Sequence, residues 1–216
     1  MGKHLDIKRT ILQSSFDAGS CHLGSALSCV DILVELFYGI LKKEDVFIFS
    51  KASGVATLYA ILADKGYFPK EMIAKYLHDY PLPSKEVPGV IHSFGSLGHG
   101  LPFAAGMALA DRSRRVFVLM SDGEVDEGTT WESALFIRQH KLDNLYVIID
   151  ANKYQALGAT KDILDLTTAF EFLKNTLPHC DIRETVKGGD VDFLQGTKGH
   201  YLNLTEGLLD RALEQI

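Results

Sequence analysis

Two uninterrupted apolar runs constrain the fold of this chain more than any other feature. They are "VFVLM" at residues 116–120 and "LYVIID" at residues 145–150. Continuous apolar segments of this length are typical of strands that are buried on both faces of a parallel sheet. Residues 127–144 lie between the two runs and place Trp131 and Leu135 at helical spacing. The pattern therefore predicts a strand–helix–strand unit with a right-handed crossover.

Shorter segments on the N-terminal side continue the alternation of helices and strands. The segment "VFIFS" is β-branched and aromatic, and it predicts a further strand. Three segments with helical spacing predict helices, at residues 6–19, 28–41 and 54–66. Ser28 is expected to cap the second of these helices, with Asp31 three residues further on. We therefore predict one α/β domain over residues 1–216, with a mainly parallel sheet flanked by helices.

Composition and charge exclude several classes of function. The chain has 216 residues and a formal net charge of −6, so it lacks the basic surface that nucleic-acid binding requires. Its three cysteines show no Cys-x-x-Cys spacing, which argues against a disulfide framework or a zinc site. The N-terminus has no apolar signal region, and no apolar stretch is long enough to span a membrane. We expect a cytoplasmic protein with no membrane partner.

Polar residues follow both central runs, at the point where each predicted strand ends. "SDGEVDEG" begins at Ser121, and "DANK" begins at Asp150. Open α/β sheets bind ligands at the carboxyl ends of their strands, so Asp122 and Asn152 are expected to reach one point. Their side-chain oxygens suit Mg²⁺ or Ca²⁺, and Gly123 permits close approach of an anion. The alternative is that these acidic and glycine residues only form turns.

The span from Ser121 to Thr160 resembles the thiamine diphosphate signature of transketolases, a Gly-Asp-Gly followed later by Asn. Ser121 replaces the first glycine of that signature. Further segments resemble the family in the same order: "AGSCHLGSALSCVDILVELFYG", "HSFGSLGHGLPFAAGMALA" and "TVKGGDVDF" followed by "GHY". The resemblance runs from about residue 7 to 201. It implies the diphosphate-binding domain of a transketolase.

The resemblance also implies a metal site. In that site, Asp122 and Asn152 would bind Mg²⁺ (or Ca²⁺) through their side chains, and Tyr154 would bind it through its carbonyl oxygen. Glu124 to Glu127 would lie nearby without being ligands, and Glu127 would start the next helix, where negative charge is favoured.

Further roles are implied for the cofactor and for catalysis. Gly95 and Gly123 would contact the diphosphate, and Leu97 would pack against the cofactor rings. The alternative for Leu97 is simple packing at the start of a helix. His22 and His200 would act as catalytic residues by donating to a phosphate, or to an oxygen at the reacting carbon.

The sequence departs from the family in three places. Ser53 stands where a cofactor-site histidine is expected, and the family's Gly-His-Pro segment is missing before "PGV". Between Leu166 and "HCDIRETVKG" the chain is about half the usual length, so a strand and a helix are expected to be trimmed from the C-terminal part of the fold. The two missing histidines favour a donor with fewer hydroxyl groups than a sugar phosphate.

The resemblance implies a partner as well. Thiamine diphosphate is activated by a glutamate that transketolases carry on a separate pyrimidine-binding domain. The chain is therefore interpreted as the N-terminal subunit of a two-subunit transketolase-like enzyme, a heterotetramer that transfers a two-carbon ketol or acyl unit to an aldehyde or sugar. One alternative is a degenerate, non-catalytic paralogue that acts in binding or assembly. Another is a general nucleotide- or phosphate-binding α/β protein.

Overall fold

The computed structural model describes residues 2–197 and 199–216. Its four strands form one parallel sheet in the order β1-β2-β3-β4. The strands are β1 (Val46–Phe49), β2 (Val116–Ser121), β3 (Leu145–Ala151) and β4 (Cys180–Glu184). This arrangement confirms the predicted α/β fold with a parallel sheet.

The helices alternate with these strands along the described part of the chain. They are α1 (Gly2–Ala18), α2 (Leu23–Ser28), α3 (Val30–Glu35), α4 (Val55–Asp64), α5 (Met72–Asp79), α6 (Gly100–Ala110), α7 (Gly128–His140), α8 (Thr160–Ile163), α9 (Thr167–Thr176) and α10 (Glu206–Gln215). A 3-10 turn, Asp122–Asp126, follows β2 directly. None of the described helices has the length and apolar character needed to cross a membrane.

The structure separates into two compact units. The sheet unit comprises Leu41–Lys51 and Phe94–Glu184, and it contains all four strands. The helical unit comprises residues 2–40, 52–93, 185–197 and 199–216.

The core of the sheet unit explains the apolar runs in the sequence. Val118 and Met120 on β2 belong to one buried cluster with residues of α6, α7 and α9. Phe117 and Leu119 point to the opposite face and are buried as well. Because both faces of β2 are covered, every position of the run is apolar.

The helical unit is built around α1, which packs against α4, α5 and α10. Gly19 and Gly66 follow α1 and α4 with φ of +60° and +83°, so both helices stop at glycine as predicted. The prediction that Ser28 caps a helix was wrong. Ser28 is the last residue of α2, and its hydroxyl donates back to the Ser25 carbonyl at 3.1 Å, because the chain is already helical before it reaches Ser28.

Candidate functional site

The carboxyl ends of β2 and β3 bring Asp122 and Asn152 into adjacent loops of the sheet unit. Ser121 pairs with Asp150 in the register of the two strands, so both loops begin at the same level of the sheet. The Asp122 Oδ2 atom accepts a hydrogen bond from the Lys153 amide at 2.7 Å, and its Oδ1 atom accepts one from the Gly123 amide at 2.9 Å. Asp122 therefore connects the two loops directly, as the strand pattern predicted.

The loop after β3 has a defined backbone around Tyr154. The Asn152 Oδ1 atom accepts a hydrogen bond from the Tyr154 amide at 3.1 Å. Lys153 adopts a left-handed conformation with φ of 70°, and Tyr154 forms an isolated antiparallel bridge with Ala159. These contacts fix the backbone at the position whose carbonyl oxygen was predicted to bind a metal.

A buried ion pair lies beneath these loops. The Lys51 Nζ atom is 3.2 Å from the Asp150 Oδ2 atom, and the two side chains are 1% and 0% exposed. Lys51 follows the end of β1, and Asp150 lies near the end of β3, so the pair joins two strands that are separated by β2. The sequence analysis did not identify this pair.

Burial and charge act in opposite directions on Asp122. Burial raises the pKa of this carboxyl group to about 6, and the positive charge of Lys51 partly opposes that effect. Within residues 2–197 and 199–216, no group of three His, Cys, Asp or Glu side chains is placed to hold a metal ion. A cation here would thus depend on one carboxylate together with amide, carbonyl and ligand oxygens.

Glu124 is a member of the site that the sequence analysis placed nearby without a role. It is fully buried, and its Oε2 atom accepts from the Ser121 amide at 2.7 Å and from the Ser121 hydroxyl at 3.1 Å. Its Oε1 atom accepts from the Gly98 amide at 3.2 Å and from the Ser50 hydroxyl. Burial raises the pKa of Glu124 above its ordinary value. The Ser-x-x-Glu spacing of a capping box was the signal that could have revealed this residue.

The glycine loop, residues 95–99, leads into α6 and is closely packed at two glycines. Gly98 has φ of +77°, and a Cβ atom there would lie 2.5 Å from the Thr129 hydroxyl oxygen. A Cβ atom on Gly100 would lie 2.3 Å from the Ser50 side chain. Only glycine therefore fits at these two positions.

The two residues of the glycine loop that were predicted to bind the cofactor are exposed. Gly95 is exposed, and Leu97 is 41% exposed, so Leu97 is not buried at the start of α6. Their contacts with a cofactor stay predictions.

The helical unit brings His22 and His200 together. Their ring centroids are 4.7 Å apart in an edge-to-face arrangement, and the His22 amide donates to the His200 carbonyl at 2.9 Å. Tyr201 contacts both rings. Burial lowers the pKa of His22, and the charge of Lys187 lowers it further, so His22 is neutral near pH 7. The catalytic role of the two histidines is a prediction.

Comparison with protein families identifies the fold. The family described as "Transketolase, thiamine diphosphate binding domain" matches residues 7–176. The transketolase from Campylobacter jejuni superimposes with a TM-score of 0.84 at 24% identity, covering 100% of this chain and 43% of that one. The Leishmania mexicana transketolase gives a TM-score of 0.83 at 22% identity, covering 97% of this chain and 40% of that one. The chain thus spans less than half the length of these solved enzymes, and the likeness to them concerns the fold.

Two curated relatives, each named as one subunit of a transketolase, are similar over almost their whole length. The apulose-4-phosphate transketolase polypeptide from Actinobacillus succinogenes is 35% identical, with 97% of this chain and 92% of that protein covered. The 6-deoxy-6-sulfo-D-fructose transketolase subunit SqwG from Clostridium sp. is 29% identical, with 97% and 93% covered.

The first of these alignments is 254 positions long and exceeds the 216 residues of this chain. That difference agrees with the predicted loss of segments, and only three residues separate α9 from β4. The family match covers well over half of the chain and includes the Asp122 and Asn152 loops. The resemblance seen in the motifs is confirmed, and the chain belongs to the transketolase family, in which it corresponds to the thiamine diphosphate-binding domain.

Proposed function

We propose that this chain is the diphosphate-binding subunit of a two-subunit transketolase that moves a two-carbon ketol or acyl unit to an aldehyde or sugar acceptor. One observation carries the proposal. The Asp122 carboxylate hydrogen-bonds across to the Asn152 loop, so two oxygen ligands meet at the carboxyl edge of the sheet. The names of the two curated relatives, each a transketolase subunit, support the two-subunit arrangement.

The residues present fit a hard divalent cation. Asp122 and Asn152 are both buried, and burial raises the Asp122 pKa, so a bound cation would stabilise the ionised carboxylate. These two side chains, with the Tyr154 carbonyl, would hold Mg²⁺ (or Ca²⁺). The cation would neutralise charge on the diphosphate.

The glycines of the site fit an anionic cofactor. A Cβ atom on Gly123 would lie 3.3 Å from the Gln155 side chain, so glycine keeps this turn narrow. Gly95 and Gly123 would contact the diphosphate through their backbones, and Leu97 would cover the cofactor rings. Thiamine diphosphate supplies a carbanion nucleophile when it is bound.

His22 and His200 would bind the oxygen atoms of the donor. A neutral imidazole carries one N–H donor and one acceptor nitrogen, so His22 can donate to a hydroxyl or carbonyl oxygen, or accept from a hydroxyl. Ser53 lies in a 3-10 turn, Ala52–Gly54, where the family has a histidine. A hydroxyl there provides weaker recognition of a polyhydroxylated donor. Xylulose 5-phosphate is therefore expected to be a poorer donor than hydroxypyruvate in steady-state assays, and equal turnover of the two would contradict this choice of donor.

A partner subunit would supply the activating glutamate and cover an apolar surface on α6 and α7. Four large apolar side chains of these helices are exposed: Phe103, Leu109, Leu135 and Phe136. Surfaces of this kind mark protein–protein contacts. We infer a heterotetramer of two such chains with two pyrimidine-domain chains. Light scattering after size-exclusion chromatography of the co-expressed subunits measures its mass, and turnover by the chain alone would contradict the arrangement.

The decisive experiment removes the metal ligand. Asp122→Ala in the assembled enzyme is expected to abolish Mg²⁺-dependent binding of thiamine diphosphate, as measured by isothermal titration calorimetry. Asp162→Ala is the matched control, because it removes an exposed carboxylate of α8 in the same unit. Unchanged affinity in Asp122→Ala would exclude this metal site. Binding without turnover in the unmodified assembly would instead favour a degenerate, non-catalytic paralogue.

A further inference from the structure

Glu124 joins three separate segments of the sheet unit through one carboxylate. The segments are the end of β1 at Ser50, the glycine loop at Gly98 and the end of β2 at Ser121. The side chain is fully buried, and four donors converge on its two oxygen atoms. A buried carboxylate is costly unless it is fully hydrogen-bonded, and these donors offset that cost.

The hydrogen-bond pattern requires a carboxylate and not an amide. The Gly98 amide donates to Oε1, whereas the Ser121 amide donates to Oε2. A glutamine at this position would offer one accepting oxygen and one NH₂ group. The hydroxyls of Ser50 and Ser121 can rotate, but the two backbone N–H groups cannot. In either orientation of a glutamine, one backbone N–H would therefore lose its acceptor.

Gly98 is the position at which the glycine loop is fixed. Its left-handed backbone and its close contacts with Thr129 and Glu127 leave no space for a side chain. The hydrogen bond from Gly98 to Glu124 holds this turn against the strand ends, while Leu97, the preceding residue, is exposed. The conformation of the exposed part of the loop thus depends on a buried anchor.

We propose that Glu124 is a positioning residue that fixes the glycine loop to the ends of β1 and β2, and so sets the geometry in which Gly95 and Leu97 meet the diphosphate cofactor. The role toward the cofactor rests on the proposed function, whereas the role toward the loop does not. Glu124 acts through Gly98 and Ser121.

The test compares Glu124→Gln with Glu171→Gln in the full-length chain. Glu171 is an exposed residue of α9 in the same unit, so the control makes the same change of charge and shape away from the loop. Amide hydrogen exchange, followed residue by residue by NMR, is expected to accelerate about tenfold or more at Gly98 or Ser121 in Glu124→Gln only. The dissociation constant for thiamine diphosphate with Mg²⁺ is expected to rise about tenfold, at a temperature where circular dichroism shows the variant to be folded.

Each outcome decides the matter. If both amides in folded Glu124→Gln stay as protected as in the unmodified chain, the proposal is overturned. If Glu124→Gln does not fold, the unmodified chain is measured instead, and an unprotected Gly98 amide there overturns the proposal. If the unmodified chain and its assembly bind no thiamine diphosphate, the proposed function fails, while the exchange measurement still decides the role of Glu124.

Discussion

The edge of the sheet and the pair of histidines in the helical unit organise polar groups in opposite ways. At the sheet edge, four ionisable side chains are buried and held by ion pairs or hydrogen bonds: Lys51, Asp122, Glu124 and Asp150. In the helical unit, His22 and His200 contact each other through their rings, and burial keeps His22 neutral.

The difference indicates two kinds of recognition. Buried, compensated charges fix a geometry before any ligand arrives, which suits binding of a cation and a diphosphate. A neutral imidazole pair has no fixed charge and can donate to or accept from a hydroxyl group, which suits a sugar-like donor. Substitutions at the sheet edge should therefore affect stability and cofactor binding, whereas substitutions at the histidine pair should affect turnover.

The largest effect is expected for Lys51→Met. This change leaves Asp150 buried without its ion-pair partner, and breaking a buried pair in this way costs about 3–5 kcal/mol. Urea unfolding of the full chain measures the loss, with the exposed residue of Lys161→Met as control. The double variant Lys51→Met/Asp150→Asn should recover much of the stability. A loss for Lys51→Met as small as that of the control would remove the contrast between the two regions.

A pH titration tests whether the helical unit keeps its imidazoles neutral. His92 is buried, and burial lowers its pKa to about 4. Between pH 6.5 and about 4, unfolded His92 takes up a proton that folded His92 does not, so stability falls as the pH falls through this range. At roughly 1.4 kcal/mol per pKa unit, the loss approaches about 3 kcal/mol.

The variant His92→Gln should reduce this acid-dependent loss, as measured by urea unfolding at pH 7 and pH 4.5. His78→Gln changes an exposed histidine of the same unit and serves as control. An acid-dependent loss that is equal in both variants would show that His92 is not responsible for it.

The smallest effect is expected for His22→Gln in the assembled enzyme. Loss of a positioned proton donor lowers kcat/KM about 100-fold, which corresponds to about 2.7 kcal/mol. The dissociation constant for thiamine diphosphate should stay unchanged, in contrast to Asp122→Ala. Steady-state kinetics and calorimetry on the same preparation separate the two effects. If His22→Gln lost cofactor affinity as Asp122→Ala does, the division of roles between the two regions would be wrong.

The sequence was sufficient to predict the elements that depend on local pattern. The buried strands β2 and β3 were visible as apolar runs, and the parallel register then required Asp122 and Asn152 to meet. The ends of α1 and α4 were visible as glycines.

Long-range side-chain contacts were not predictable in the same way. Ser50 and Glu124 are 74 positions apart, and Lys51 and Asp150 are also far apart in the chain, so no periodicity relates them. A buried glutamate also looks like a surface residue in the sequence, because burial of a charge depends on donors that come from other segments. Ser28 was misassigned as a cap because a helix-capping residue type can equally end a preceding turn of helix.

The division of the chain into segments has a consequence for how the protein is made. The helical unit contains α1, and α1 packs against α10, whose residues are among the last to leave the ribosome. Strand β1 ends at residue 49 and likewise waits for β2, which begins only at residue 116. Contacts between such distant segments slow folding because a long loop must close first. Nascent chains should therefore expose apolar helices for most of synthesis, and the yield of folded protein should depend on chaperones.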